Sequence, residues 1–242
     1  MFKREDKRKF DQLRLIKIEK NLLKYAEGSC LIEAGNTKLV ISATVEDKVP
    51  SFLRDTKQGW LTAEYGMIPR SSKERIVRPT MRVAGRSLEI QRMIGRALRA
   101  GIDLDAIGSR TIIIDCDVIQ ADGGTRTLAI SGAFCALYDA VNSLFKKRII
   151  GVNPIKNVIA AVSVGMLGND LILDLTYEED FRADVDMNVC MTDRFELVEI
   201  QGTAEGRPLP KEKLNEMIEL AQKGISEIIE IQKETLGITT IF

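Results

Sequence analysis

Gln120-Ala121-Asp122-Gly123-Gly124-Thr125-Arg126-Thr127 stands between an apolar, β-branched run (Thr111 to Ile119) and a long run of small and apolar residues (Leu128 to Phe145). That order reads as a strand, a glycine turn and the start of a buried helix. Adjacent glycines let backbone N–H groups come close to a ligand, and a helix N-terminus adds partial positive charge. Arg126 supplies a permanent, forked cation suited to phosphate oxygens. The local chemistry is that of an anion site. Taken alone, the same pattern also serves a strand-to-helix turn that needs glycine and binds nothing, so the rest of the chain decides between the two.

Upstream, the chain turns basic from Arg70: Arg70, Lys73, Arg75, Arg78, Arg82 and Arg86 stand against Glu74 alone. Pro69 and Pro79 make this stretch a loop. A helix is expected from about Ser87 to Ala100, with Ile90, Met93, Ile94, Ala97 and Leu98 on one face and Arg82 and Arg86 just before it. A basic loop is equally an ordinary solvated surface, and no aromatic is interleaved in it to stack bases. Earlier still, Leu13 to Lys20 reads as a short strand, Gly28 to Val45 as a hairpin turned at Gly35-Asn36, and Trp60 to Met67 as a strand or a loop.

Downstream, Lys146-Lys147-Arg148 closes the central helix, as its dipole favours. Val158 to Leu167 and Leu171 to Thr176 are apolar around a Gly168-Asn169-Asp170 turn. Then Ala183, Val185, Met187, Val189 and Met191 alternate with Asp184, Asp186, Asn188 and Thr192 on the opposite face of a strand. Asp180 lies just upstream with Glu178 and Glu179. Phe195 to Thr203 is a further strand, and Leu214 to Leu236 an amphipathic helix with Met217, Ile218, Ala221, Ile225, Ile228 and Ile229 as its core stripe. Without strict βαβ alternation, the class is α+β. The halves, about 11–145 and 157–236, are candidate distant repeats within one chain.

Carboxylates gathered on one strand face repel unless a cation sits among them, and oxygen-only ligands favour Mg²⁺ or Mn²⁺ over zinc. An acidic face that simply meets water is the plain alternative, and it also covers Asp115 and Asp117. The chain has 242 residues, 45% hydrophobic and 29% charged, with a formal net charge of zero, which suits a globular protein with no global pull toward nucleic acid or anionic membrane. The charged start Met1 to Lys9 does not read as a secretion signal, no apolar stretch is expected to reach the ~20 residues of a membrane span, and a cytoplasmic location is expected. Cys30, Cys116, Cys135 and Cys190 are scattered without a C-x-x-C pair and read as buried, reduced thiols. Histidine is absent, which removes Ser-His-Asp and Cys-His catalysis and the usual general base. A glycine-arginine turn, arginines at a helix start and an acidic cluster together suit in-line transfer at phosphorus, where positioning and charge neutralisation do most of the work. The turn lacks the P-loop lysine and does not match G-x-G-x-x-G, which argues against an ATPase or a dinucleotide enzyme.

Four motifs in order carry a resemblance: Gln58 to Arg70 (QGWLTAEYGMIPR), Gly85 to Arg96 (GRSLEIQRMIGR), Ile114 to Thr127 (IDCDVIQADGGTRT) and Ala183 to Asn188 (ADVDMN). Through them, from about Asp11 to Lys233, the chain resembles bacterial ribonuclease PH, a family of phosphate-dependent 3′→5′ exoribonucleases. The resemblance implies the α+β ribonuclease PH fold (ribosomal protein S5 domain 2-like), and a hexamer built as a trimer of dimers. It implies phosphorolytic trimming of tRNA precursors and other RNA 3′ ends to nucleoside diphosphates, with nucleotide addition as the reverse reaction. Arg86, Gly124, Thr125 and Arg126 would hold inorganic phosphate as co-substrate. Asp180 and Asp186 would be the catalytic or metal-binding acids, with Mg²⁺ (or Mn²⁺) as the metal. Arg70, Lys73, Arg75, Arg78 and Arg82 would guide the RNA. The sequence departs from the family where Lys3 to Phe10 lacks the usual Asp-Gly-Arg start, where Leu15 replaces a common proline, and where Asp55-Thr56-Lys57 replaces a glycine-rich run. Two other readings stay open: a non-catalytic ring subunit, which would be expected to lose the arginine turn or the acids, and an exosome-like subunit active only with a partner chain.

Overall fold

Alternating burial builds the first sheet from β1 (Ile16–Lys20), β2 (Gly28–Ala34), β3 (Thr37–Glu46), β4 (Trp60–Met67) and β5 (Thr111–Gln120). The structure is a computed structural model that describes residues 2–78, 85–205 and 208–238. The hairpin turns where expected, with Gly35 in the left-handed region (φ 55°) and Ala34 paired with Thr37. The strand order is β1-β2-β3-β5-β4, antiparallel except for β4 and β5, which run parallel. A parallel pair needs a crossover, and helix α1 (Gly85–Ala100) supplies it, burying Ile90, Met93, Ile94, Ala97 and Leu98 on the β4 side. Arg86 therefore lies in the first turn of α1 rather than ahead of the helix, while Arg82 lies outside the described residues.

The second sheet is wholly antiparallel in the order β7-β6-β8-β9, from β6 (Ile159–Leu167), β7 (Asp170–Leu173), β8 (Val185–Thr192) and β9 (Leu197–Ala204). Between the sheets lies helix α2 (Thr125–Lys146), packed on β2 and β3 to one side and on β6 and α4 (Lys211–Leu236) to the other. Every residue of β6 is buried, as expected of a strand covered on both faces. By length and composition α2 is apolar enough to cross a membrane, contrary to the sequence expectation, but most of it is buried as the central core helix. All four cysteines are buried and free, and burial raises their thiols, Cys30 to about 12.

One element is added to the sequence reading and one expectation changes. Residues from Tyr177 to Arg182 form a short helix, α3, opened by a capping box in which Thr176 and Glu179 satisfy each other's backbone N–H groups. Thr192, placed on the polar face by alternation, is buried, and its hydroxyl accepts the N–H groups of Arg194 and Glu196 in the turn to β9.

Where β2 meets α2 the backbones nearly touch: a Cβ at Gly28 would overlap the Ala136 carbonyl oxygen and crowd the Ala140 nitrogen at 2.7 Å. Backbone cannot swing aside as a flexible side chain can, so Gly28→Ala should cost about 3 kcal/mol. Gly151→Ala, which meets open space, should stay within about 0.5 kcal/mol. Urea unfolding of the two variants checks the contrast; equal stabilities would mean the sheet does not rest on α2 this closely.

Candidate active site

The two sheets come together around a cavity of about 820 Å³. One wall is the end of β5 and the start of α2, bringing Gly123, Gly124, Thr125 and Arg126; the facing wall, from α3 and β8, brings Asp180 and Asp186. Arg86 enters from the first turn of α1. The structure thus gathers at this end of the core the six residues that the sequence reading gave to phosphate and to the acids.

Gly123 (φ 79°) and Gly124 (φ 66°) are both left-handed, a conformation that side chains resist. A Cβ at Gly123 would also strike the Leu175 carbonyl oxygen. Gly124 is the N-cap of α2 and no side chain caps the helix among the described residues, so the positive end of the helix at the cavity wall carries no capping side chain and no acid in its first turn. Thr125 Oγ1 accepts a hydrogen bond from the Tyr65 hydroxyl at 3.0 Å. Arg126 donates to Gln201 Oε1 at 3.3 Å, and Gln201 in turn donates to Glu89. A chain from α1 through β9 therefore aims the guanidinium.

Behind the turn sits Arg14. It binds Asp174 through Nη2 (2.6 Å) and Nε (3.0 Å), and donates to the carbonyls of Asp122 (2.6 Å) and Gly123 (3.3 Å). Asp174 is buried; burial alone would push its carboxyl up, but Arg14 and then Arg8 hold it below the ordinary carboxylate range. Asp122, whose charge would oppose an anion, has its carboxylate held by Asn36 Nδ2 at 3.1 Å and the Tyr177 N–H at 3.4 Å.

The acidic wall is smaller than the sequence suggested. Glu179 is buried and bound by Arg4 through two 2.8 Å hydrogen bonds, and Glu178 pairs with Lys73 at 2.6 Å. Asp184 accepts the Gly168 N–H at 2.7 Å and serves the β6–β7 turn. Asp115 and Asp117 lie on the outer face of the first sheet, away from α2, where burial, Glu64 and Asp117 raise the Asp115 carboxyl. That leaves Asp180 and Asp186. The cavity walls and then Asp186 raise Asp180, and Arg126 and Arg86 pull it back. Among the described residues no cluster of three His, Cys, Asp or Glu could cage a metal. Two carboxylates fit the mode in which Mg²⁺ is held by one or two protein oxygens and completed by substrate phosphates.

Of the basic loop, Lys73 and Arg75 line the cavity, while Arg70 donates to the Lys73 carbonyl at 3.0 Å and Arg78 is exposed away from the lining. The loop is anchored beside the glycine turn, since the Ala121 N–H donates to the Ser71 carbonyl at 2.7 Å.

Residues 12–142 match the 3′ exoribonuclease family, domain 1, and residues 157–224 match its domain 2. The chain belongs to the 3′ exoribonuclease family. Its fold is shared with a chain of the Archaeoglobus fulgidus exosome with RNA bound to the active site (TM-score 0.80, 20% identity, 94% of this chain and 92% of that one). It is shared too with rice (Oryza sativa) Rrp46 (TM-score 0.79, 19% identity, 96% and 100%) and with an archaeal exosome core (TM-score 0.76, 19% identity, 96% and 91%).

Tyr65, Gln201, Glu89, Arg14 and Asp174, which position this family member's turn, escaped the sequence reading. The last pair yields a test. Removing one partner of a buried pair leaves the other charge uncompensated, at about 3–5 kcal/mol, so Asp174→Asn should lower stability by that order at neutral pH. Because the folded Asp174 carboxyl is depressed, its contribution is full above the ordinary value of 3.8 and is lost as pH falls below it. Denaturation curves should show the gap between wild type and variant constant at neutral pH and closing in acid; a gap that persists unchanged into strong acid would contradict the assignment.

Proposed function

We propose that this chain is a ribonuclease PH-type phosphorolytic exoribonuclease that trims tRNA precursors and other RNA 3′ ends, releasing nucleoside diphosphates. The observation that carries this is the placing of an uncapped, doubly left-handed glycine turn and Arg126 opposite Asp180 and Asp186 across one cavity, with Arg86 at its side. The turn offers a seat for an anion, and the acids offer a place where a second, phosphate-bearing group would need a cation.

In this reading inorganic phosphate rests on the Gly124–Thr125 backbone, Thr125, Arg126 and Arg86. A phosphate oxygen attacks the phosphorus of the last phosphodiester and the bond to the 3′ oxygen breaks. The proton carried by phosphate passes to that leaving oxygen, giving a nucleoside diphosphate and a shortened RNA with a free 3′ hydroxyl. Phosphate is already a competent nucleophile, so no strong base is required, in keeping with a chain that has no histidine. Arg86 and Arg126 neutralise the gathered charge, and Gln201 keeps Arg126 from folding back. Asp180 and Asp186 would hold Mg²⁺ or Mn²⁺, which would neutralise charge on the scissile phosphate and leaving oxygen. We further propose a cytoplasmic homohexamer, a trimer of dimers. Exposed Leu197 and Ile200 on β9, at the edge of the second sheet, support self-association, as do fold neighbours drawn from exosome assemblies.

The purified protein with short RNA and Mg²⁺ should release nucleoside diphosphates only when phosphate is present. Nucleoside monophosphates formed equally with and without phosphate would replace phosphorolysis by hydrolysis. Inactivity alone, regained on adding a partner chain, would favour the hetero-ring reading, and gel filtration gives the oligomer size. Arg126→Ala should abolish phosphate-dependent release of nucleoside diphosphates while RNA binding persists. Gln201→Leu should raise the KM for phosphate about tenfold with little change in kcat, the cost of one lost charge-assisted hydrogen bond; an unchanged KM would show that Arg126 needs no such guide.

A further inference from the structure

Tyr177 and Phe181 are one helical turn apart on α3, so their side chains share a face. Their rings are stacked, with centroids 6.4 Å apart and planes at 22°. Both are open to solvent, at 48% and 78% of their surfaces. Single exposed apolar residues are common; two aromatic rings already stacked on each other at the lip of a charged cavity are a different feature. Tyr177 lines that cavity, and Phe181, outside the lining, stands beside it with its ring against that of Tyr177. Lys73, from the basic loop across the cavity, places its ammonium 5.6 Å from the Tyr177 ring centroid and is held there by Glu178 at 2.6 Å. The same six-residue helix buries Glu179 and turns Asp180 into the cavity. The position of the rings is therefore fixed by the helix that carries the acid.

A strand whose 3′ end lies between the glycine turn and Asp180 shares the cavity with Tyr177, and Phe181 stands next to that ring. Bases offer π-faces whatever their sequence, and aromatic side chains beside cations bind them by stacking. The basic loop lacks aromatics of its own, and α3 supplies them from the opposite side. We propose that Tyr177 and Phe181, with Lys73 on the Tyr177 ring, form a stacking step for the bases of single-stranded RNA just upstream of the scissile bond. This inference rests on the exoribonuclease reading above.

The test is binding of a fluorescent oligouridylate to the 242-residue protein without phosphate or metal, so that turnover plays no part. Phe181→Ala and Tyr177→Ala should each weaken binding about tenfold, the usual cost of one lost base–aromatic stack, and Phe181→Trp should restore it. An oligomer made abasic at its 3′-terminal positions should bind wild type and Phe181→Ala equally. Calorimetry of Phe181→Ala with inorganic phosphate should match wild type, showing an intact anion site. Phe181→Ala binding within twofold of wild type, or an equal loss on the abasic oligomer, overturns the step while leaving phosphorolysis standing. A wild-type protein that binds no RNA overturns both; normal RNA binding and stacking losses without phosphorolysis overturn only the functional reading.

Discussion

A guanidinium and a carboxylate taken out of water together, Arg14 and Asp174, hold the geometry on which the site depends. Each is costly to bury alone, and both are satisfied by one another and by backbone, with Arg8 and Thr37 completing the set. Asp174 is in the left-handed region (φ 54°) at the junction of β7 and α3, and Arg14 lies just ahead of β1. The pair therefore ties the first sheet, the glycine turn and the acidic helix into one piece. Because Arg14 grips the turn's carbonyls from behind, the N–H side is left to the cavity. Arg4 repeats the arrangement on Glu179, so the N-terminal segment that departs from the family pattern is a brace for α3.

Much of this was legible in the sequence where the determinant is local. Periodicity marks α1, α2 and α4, and the Gly35-Asn36 turn marks the β2–β3 hairpin. The glycine turn and its arginine announce an anion seat from eight consecutive residues. What escaped is what depends on distant chain. Trp60–Met67 stayed undecided between strand and loop because its partner β5 is reached only through α1. Arg14 and Asp174 are 160 residues apart, and the Gln201–Arg126 contact exists only because Gln201 sits opposite Asn188 in the second sheet. Glu179 is the instructive error. Counted among carboxylates free for a cation, it occupies the third place of a Thr176-x-x-Glu179 capping box, a pattern readable in the sequence that would have set it apart.

The charge pattern of the cavity follows from the same economy of residue types. With no histidine to share protons, cations that never lose their charge face carboxylates across a gap. Asp180 shows the tension, its ionised form opposed by the walls and by Asp186 and favoured by two arginines. A site of this kind does its work by holding charges still, which explains why so many contacts are spent behind its walls.

Helix α2 is apolar nearly all round, and its two coverings come from opposite sides of it in the chain: β2 and β3 before, β6 and α4 after. Synthesis runs from the N-terminus, so this helix emerges with one flank unmet and keeps it so until the second sheet and the last helix have followed. Neither half closes its own core. A cut in the connection after Lys146 would strip the first half of its lid and the second of its floor. The seat at the tip of α2 thus comes into being only when the whole chain has docked, and assembling the core and assembling the site are one event.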